Sequence, residues 1–318
     1  MRERHLLARA LVAFGLAAAA LLASAQEARN CPPKAALPTA DTFAAAARQA
    51  ADRGFLWRIT RDGRASFLYG TLHVGKPGWM APGPLMQEAL AASDTIGLEL
   101  DPLDEAVQRE MAAGMAARPP VKLPRALDAR LRQALDAACL TGQALAGMPV
   151  ELQAFTLVLS AGRREGLEPT YGSEILLAML GHGGGRRVVS LETAALQLQA
   201  LLAKDEAGAV DMVDGLLNDL DSGLTATVLS RSVKAWEAAD LDDLTRYDEW
   251  CECMRTQAER DLMVRLLDGR NPGLAARIDA LHAEGRRVFA AVGAMHMIGR
   301  QGLPALMRSR GYEVQRLR

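Results

Sequence analysis

The sequence predicts an α/β fold: a mixed central sheet with helices packed around it and a long helical insertion. Three observations predict it. Short runs of β-type residues, among them TIGLELD (95–101), RRVVSLE (186–192) and RRVFAAVG (286–293), are separated by long stretches of helical pattern. Strands alternating with helices make a layered α/β architecture. LWRIT and ASFLYG flank Asp62-Gly63, a hairpin signal, so the sheet contains an antiparallel pair and is mixed. Half of the 318 residues are apolar but only 4% are aromatic, which suits a large core packed by aliphatic helices.

Residues 1–25 read as a secretory signal peptide. Arg2, Arg4 and Arg9 form a basic start, ALVAFGLAAAALL an apolar stretch, and Ala23-Ser24-Ala25 a small-residue cleavage site before Gln26. The 13-residue apolar run is short of the roughly 20 residues that span a bilayer. No later segment is apolar enough for a membrane span, and no lipobox leads into Cys31. Cleavage near Ala25/Gln26 predicts a periplasmic or secreted product. Three Arg and one Glu leave with the peptide, so the formal charge falls from −1 to −3. No basic patch points to nucleic acid.

Residues 26–54 predict a loose segment and a helix near 41–53. The hairpin follows, and its second strand runs into Gly70-Thr71-Leu72-His73. A helix is predicted over 83–93, then the strand TIGLELD carrying Glu99. From Glu105 to about Leu180 the pattern is helical, broken at Pro119-Pro120, Pro124, Gly147-Pro149 and Glu168-Pro169. The strand RRVVSLE ends at Glu192. Residues 194–268 are again helical, with Gly269 as a C-cap. Asn271-Pro272 suits an N-cap and first-turn pair. RRVFAAVG is a buried strand, and a helix near 302–310 and the strand YEVQRL close a domain spanning 55–318.

Four cysteines, Cys31, Cys139, Cys251 and Cys253, predict disulfides in an exported chain. A Cys251–Cys253 ring looks too small, so each tandem cysteine is expected to pair with Cys31 or Cys139. A Cys-x-Cys metal site is the rival reading.

Two segments repeat one pattern: FLYGTLHVG (67–75) and AAVGAMHMIG (290–299) each run from apolar residues through Gly-x-x-His to a further Gly. His73, Glu99, Glu192 and His296 all lie at or just past predicted strand ends. In open α/β sheets that edge is where ligands bind. Two imidazoles and a carboxylate suit a borderline divalent metal, so His73, His296 and Glu99 are candidate metal ligands. Such a metal would acidify water and polarise a carbonyl. Glu99 or Glu192 can bind it or act as base. The plainer alternatives are histidines that satisfy core polar groups and glutamates in salt bridges or caps.

Other chemistries lack their residues. There is no His-Glu-x-x-His and no Gly-x-Ser-x-Gly. Gly181-His182-Gly183-Gly184-Gly185 precedes a strand and reads as a loop with His182 exposed. His282 reads as a surface residue of a polar helix. A glycosidase pair of Glu99 and Glu192 lacks an aromatic sugar platform.

LWRIT…SFLYGTLHVG, TIGLELD, VVSLETAALQLQ, LLDGRNPGLAARI and VFAAVGAMHMIGRQGLPALMRSRGYEV, in this order, resemble the TraB/GumN family, relatives of the Tiki proteases. The resemblance implies the fold of erythromycin-esterase-like and ChaN-like proteins, with the paired Gly-x-x-His motifs as the active centre. In the Tiki branch that centre is a protease supported by manganese or cobalt. His73 and His296 match the motif histidines, Glu99 and Glu192 the acidic positions, and Arg270-Asn271 the Arg-Asn pair, with Arg270 as an ion-pairing support. The expectation is a metal-dependent hydrolase (manganese, cobalt or zinc) with Glu99, Glu192 and Arg270 catalytic and a peptide or protein substrate. The alternative is a periplasmic protein that sequesters a peptide, metal or haem without turnover.

Overall fold

The computed structural model describes residues 31–32, 35–140, 145 and 147–318. The signal-peptide reading of residues 1–25 lies outside them. Among the described residues the strands are β1 (Phe55–Arg61), β2 (Arg64–Thr71), β3 (Thr95–Leu98), β4 (Arg187–Ser190), β5 (Val288–Gly293) and β6 (Glu313–Arg316). They form one six-stranded sheet in the order β4-β3-β5-β2-β1-β6. β2, β5, β3 and β4 are mutually parallel, and β1 is antiparallel to both β2 and β6, so only β1 runs against the rest. The reversal is made at Asp62 and Gly63, with φ of 53° and 72°. Two successive left-handed residues form the tight turn that an Asp-Gly pair favours.

The helices are α1 (Ala40–Ala47), α2 (Pro84–Ala91), α3 (Glu105–Ala117), α4 (Arg125–Ala137), α5 (Val150–Ser160), α6 (Ser173–Gly183), α7 (Ala194–Leu201), α8 (Glu206–Asp221), α9 (Leu224–Ala238), α10 (Leu241–Thr245), α11 (Tyr247–Trp250), α12 (Gln257–Leu266), α13 (Asn271–Ala283) and α14 (Leu303–Ser309). The sheet is mixed and α/β, as expected. α1 stops at Ala47, earlier than the expected 53. None of the described helices is long and apolar enough to cross a membrane.

The main core surrounds β5, whose six residues are all buried. α6 packs on β3 and β4, and α13 on β5. Each fully buried Val, Leu, Ile, Phe or Met side chain of this core contributes roughly 1.5–3 kcal/mol. The insertion has a separate core. Leu127, Leu131 and Leu135 recur every fourth residue on α4 and meet Ala154 and Leu157 of α5 and Val213 and Leu217 of α8. The outer side of α4 is tied to α8 by Arg130, which reaches Asp214, Asn218 and Asp221.

Two expectations are corrected. Cys251 and Cys253 pair with each other, and Cys31 pairs with Cys139. Glu252 takes a φ of 52° and folds the chain back, leaving the tandem Cα atoms 5.0 Å apart, within the usual disulfide span. His282 is fully buried, not a surface residue. Its ring lies 3.2 Å from Ser66 Oγ and 3.1 Å from the Arg61 carbonyl oxygen, and stacks edge-on against Tyr312. The polar residues of α13 hid this, because the face covering β1 and β2 carries a histidine where an aliphatic residue would have signalled burial.

Candidate active site

Three parallel neighbours end together. β2 leads into His73, β3 into Glu99, and β5 into a short 3-10 turn, Ala294–Met297, that carries His296. The register sets Thr71 beside Gly293 and Leu98 beside Ala291, so these side chains share one edge of the sheet. A Cβ added to Gly293 would lie 3.2 Å from Glu99 Oε1, 3.4 Å from His296 Cδ2 and 3.9 Å from His73 Nε2. Both motif imidazoles and Glu99 therefore surround one point. Glycine keeps that point clear, and its N–H donates to Glu99 Oε1 at 2.7 Å.

His296 is buried and fixed from behind. Its Nδ1 lies 2.6 Å from Asn271 Oδ1. The Asn271 amide nitrogen donates to the Gln301 carbonyl at 2.8 Å, which turns its oxygen toward the imidazole. Nδ1 therefore carries the hydrogen and Nε2 is bare. Nε2 faces Arg270 Nη1 at 3.4 Å and Glu99 Oε1 at 3.9 Å. Burial pushes His296 down to about 4, against the pull of Glu99, so the ring is neutral. Asn271 is thus the first residue of α13, and its side chain holds His296 instead of capping the helix.

His73 is held from a different direction. Its side chain is 57% exposed, and Nδ1 donates to Glu174 Oε1 at 2.9 Å. Glu174 also accepts from the Thr71 hydroxyl. Glu174 enters on the first turn of α6, which is docked locally by Ser173: its Oγ accepts from the Leu72 N–H at 2.7 Å. The second glycine of this motif has a role here. A Cβ on Gly75 would stand 2.0 Å from the Tyr171 carbonyl oxygen, so only glycine lets the segment before α6 approach. Glu174 raises the His73 pKa above the ordinary imidazole value, outweighing burial.

Arg270, one residue before α13, joins the carboxylates. Its Nε donates to Glu192 Oε2 at 3.0 Å, its Nη2 to both Glu99 and Glu192, and its Nη1 to the Leu266 carbonyl at 3.0 Å. Burial would raise Glu99, but His296, His73, Arg270 and the Gly293 N–H outweigh it and hold the carboxyl well below the usual range. Glu192 is raised, because its burial outweighs Arg270. Behind Glu192 an open cleft of about 350 Å³ runs between β4 and α3, lined also by Leu100, Val107, Val189 and Arg277.

All five expected site residues, His73, Glu99, Glu192, Arg270 and His296, thus meet at one edge. Sequence reasoning missed Glu174, and it left Asn271 open between a helix cap and the family's Arg-Asn pair. Glu174 had no motif around it, only its place in the first turn of a predicted helix. His182 sits in the last turn of α6, half exposed, with Nε2 2.7 Å from Asp101 Oδ2.

The expected divalent metal can be tested against these donors. Both imidazoles are anchored through Nδ1 to a side-chain oxygen, which leaves Nε2 free, as ligating histidines require. Glu99, however, already accepts from Gly293 with one oxygen and from Arg270 with the other. Among the described residues no group of three or more His, Cys, Asp or Glu is placed to hold a metal ion. As arranged, the cation that Glu99 faces is the Arg270 guanidinium.

Neither a curated protein nor a solved structure matches the chain. The sequence profile of the TraB/PrgY/gumN family matches residues 55–316, which run from the first strand to the last and contain every residue of this edge. The chain belongs to the TraB/PrgY/gumN family.

Proposed function

We propose that the chain is an exported hydrolase, acting on peptide bonds, whose centre is the strand edge around Gly293. The observation that carries this reading is the convergence of His73, His296 and Glu99 on one point, with Arg270 beside them. His73 is the group that exchanges protons. It is exposed, its Nδ1 is anchored by Glu174, and its Nε2 faces the Gly293 space. As imidazolium it protonates a leaving amine, and as neutral imidazole it takes a proton from water. Positioned acid–base groups contribute roughly 10²–10⁴-fold in rate. Arg270, whose side chain is largely buried and bonded to both Glu99 and Glu192, holds the two carboxylates in place beside this point. His296 is the neutral partner that holds Arg270 and Glu99 in register. The cleft behind Glu192 offers room for substrate side chains. Export rests on the signal-peptide pattern and on four cysteines suited to an oxidising compartment.

A second reading makes the enzyme metal-dependent: His73 and His296 would hold a manganese, cobalt or zinc ion, which would acidify a water and polarise a carbonyl. The Nδ1 anchoring of both rings favours it, and it requires Arg270 to release Glu99. The test uses residues 26–318 purified without chelators or a His tag. Peptide-library hydrolysis and elemental analysis are compared for wild type, His73→Ala and His296→Ala. Product formed without added metal and lost in His73→Ala supports the acid–base reading. Near-stoichiometric metal that both variants lose supports the second. Saturable peptide, metal or haem binding without product under any metal would instead assign a sequestering role.

A further inference from the structure

The two disulfides are unlike in span. Cys31–Cys139 links residues 108 apart, whereas Cys251–Cys253 encloses one residue. Stabilisation of the folded chain by a disulfide grows with the loop that it closes. The long bridge is therefore a staple, and the short one contributes little of that kind. Its surroundings suit exchange instead. The pair lies in the loop between α11 and α12, which supplies no side chain to the strand-edge site. Cys251 is fully buried, while Cys253 is partly exposed and Glu252 between them points outward. An incoming thiol thus meets one sulfur and not the other. The Cys253 N–H donates to Cys251 Sγ at 3.1 Å. That same N–H would stabilise negative charge on Cys251 when the bond opens.

We propose that Cys251–Cys253 is a thiol–disulfide exchange site that takes a thiol, from a small molecule or a protein cysteine, at Cys253. A thiolate RS⁻ attacks Cys253 Sγ. The RS–Cys253 bond forms, the Cys251–Cys253 bond breaks, and the electron pair leaves on Cys251 Sγ. A second RS⁻ attacks the RS sulfur of the mixed disulfide, releasing RSSR and a Cys253 thiolate. Two thiols are oxidised, the chain's disulfide is reduced, and the steps reverse when a disulfide is offered to the dithiol.

The experiment equilibrates the purified chain in a series of reduced and oxidised glutathione mixtures. Acid quenching, maleimide labelling and mass spectrometry of digests then read both bridges. Cys251–Cys253 is expected to open at a thiol-to-disulfide ratio at least tenfold lower than Cys31–Cys139. In Cys251→Ser, oxidised glutathione is expected to leave its adduct on Cys253, and in Cys253→Ser to label Cys251 far more slowly. A Cys31→Ser/Cys139→Ser double variant is expected to keep the exchange, which separates it from folding. A cysteine-containing peptide replacing glutathione identifies the source: faster exchange assigns protein thiols, slower exchange small ones. Equal resistance of the two bridges, or preferential labelling of Cys251, would overturn the proposal.

Discussion

The two Gly-x-x-His turns share a sequence pattern and have opposite surroundings. The His73 side chain is 57% exposed and that of His296 4%. Each ring is anchored through Nδ1, but to different chemistry: a carboxylate, Glu174, for His73 and an amide, Asn271, for His296. An anion behind an exposed ring favours its protonated form, whereas an amide behind a buried ring favours the neutral one. One pattern thus yields an exposed ring that favours its proton and a buried ring that stays neutral. A motif fixes where a side chain starts, and the elements arriving from elsewhere fix what it does.

The largest effect should come from His73→Ala, which removes the exposed member only. Hydrolysis should fall by about 10²–10⁴-fold with little change in thermal midpoint, since the side chain is half in water. Equal loss of stability and activity would make the two turns alike. Arg270→Gln attacks the link between them. Glu99 and Glu192 are left buried without their cation, at a cost of about 3–5 kcal/mol by denaturant titration. A change under ~1 kcal/mol would mean that the triad is not closed in solution. Asn271→Ala should cost about 1–3 kcal/mol, because the His296 N–H loses its acceptor in a dry setting. If Asn271 were only a helix cap, activity would survive it.

Glu174→Gln sharpens the contrast without removing either ring. His73 is raised by Glu174, so it holds its proton above the ordinary 6.5. Its base-dependent activity should appear only as pH rises past that raised value. Removing the anion should move the limb to lower pH, toward 6.5, and a pH–rate profile checks this. An unmoved limb assigns it to another group. The smallest effect concerns His282. Burial lowers its pKa below 6.5, so protons favour the unfolded chain. Its contribution is complete above the unfolded value and is lost as pH falls through it toward the folded one. Denaturant midpoints at pH 7.5 and 5.5 should converge in His282→Gln relative to wild type.

The sheet was legible because its strands are short β-type runs between helices and its hairpin has an Asp-Gly turn. Four of the five site residues, His73, Glu99, Glu192 and His296, were legible because they sit at or just past strand ends, where parallel neighbours bring distant sequence together; Arg270, just before α13, was legible only through the family resemblance. What the sequence withheld came from the helices. Glu174 reaches His73 only because Gly75 admits the segment before α6, and that packing has no sequence period. Asn271 fits a cap and a histidine anchor equally well by position, and the choice depends on the Gln301 carbonyl. The tandem disulfide was misjudged because Glu252 takes a left-handed conformation that residues other than glycine seldom adopt.

The most direct test of the unlike histidines at one site is an imidazole NMR titration of metal-free protein, assigned with His73→Gln and His296→Gln. The account predicts that His73 titrates above 6.5 and that His296 stays neutral, with hydrogen on Nδ1, as pH falls below 6. It also predicts that His73→Gln shifts the His296 resonances. Two rings titrating alike near 6.5, with no response of one to loss of the other, would contradict it.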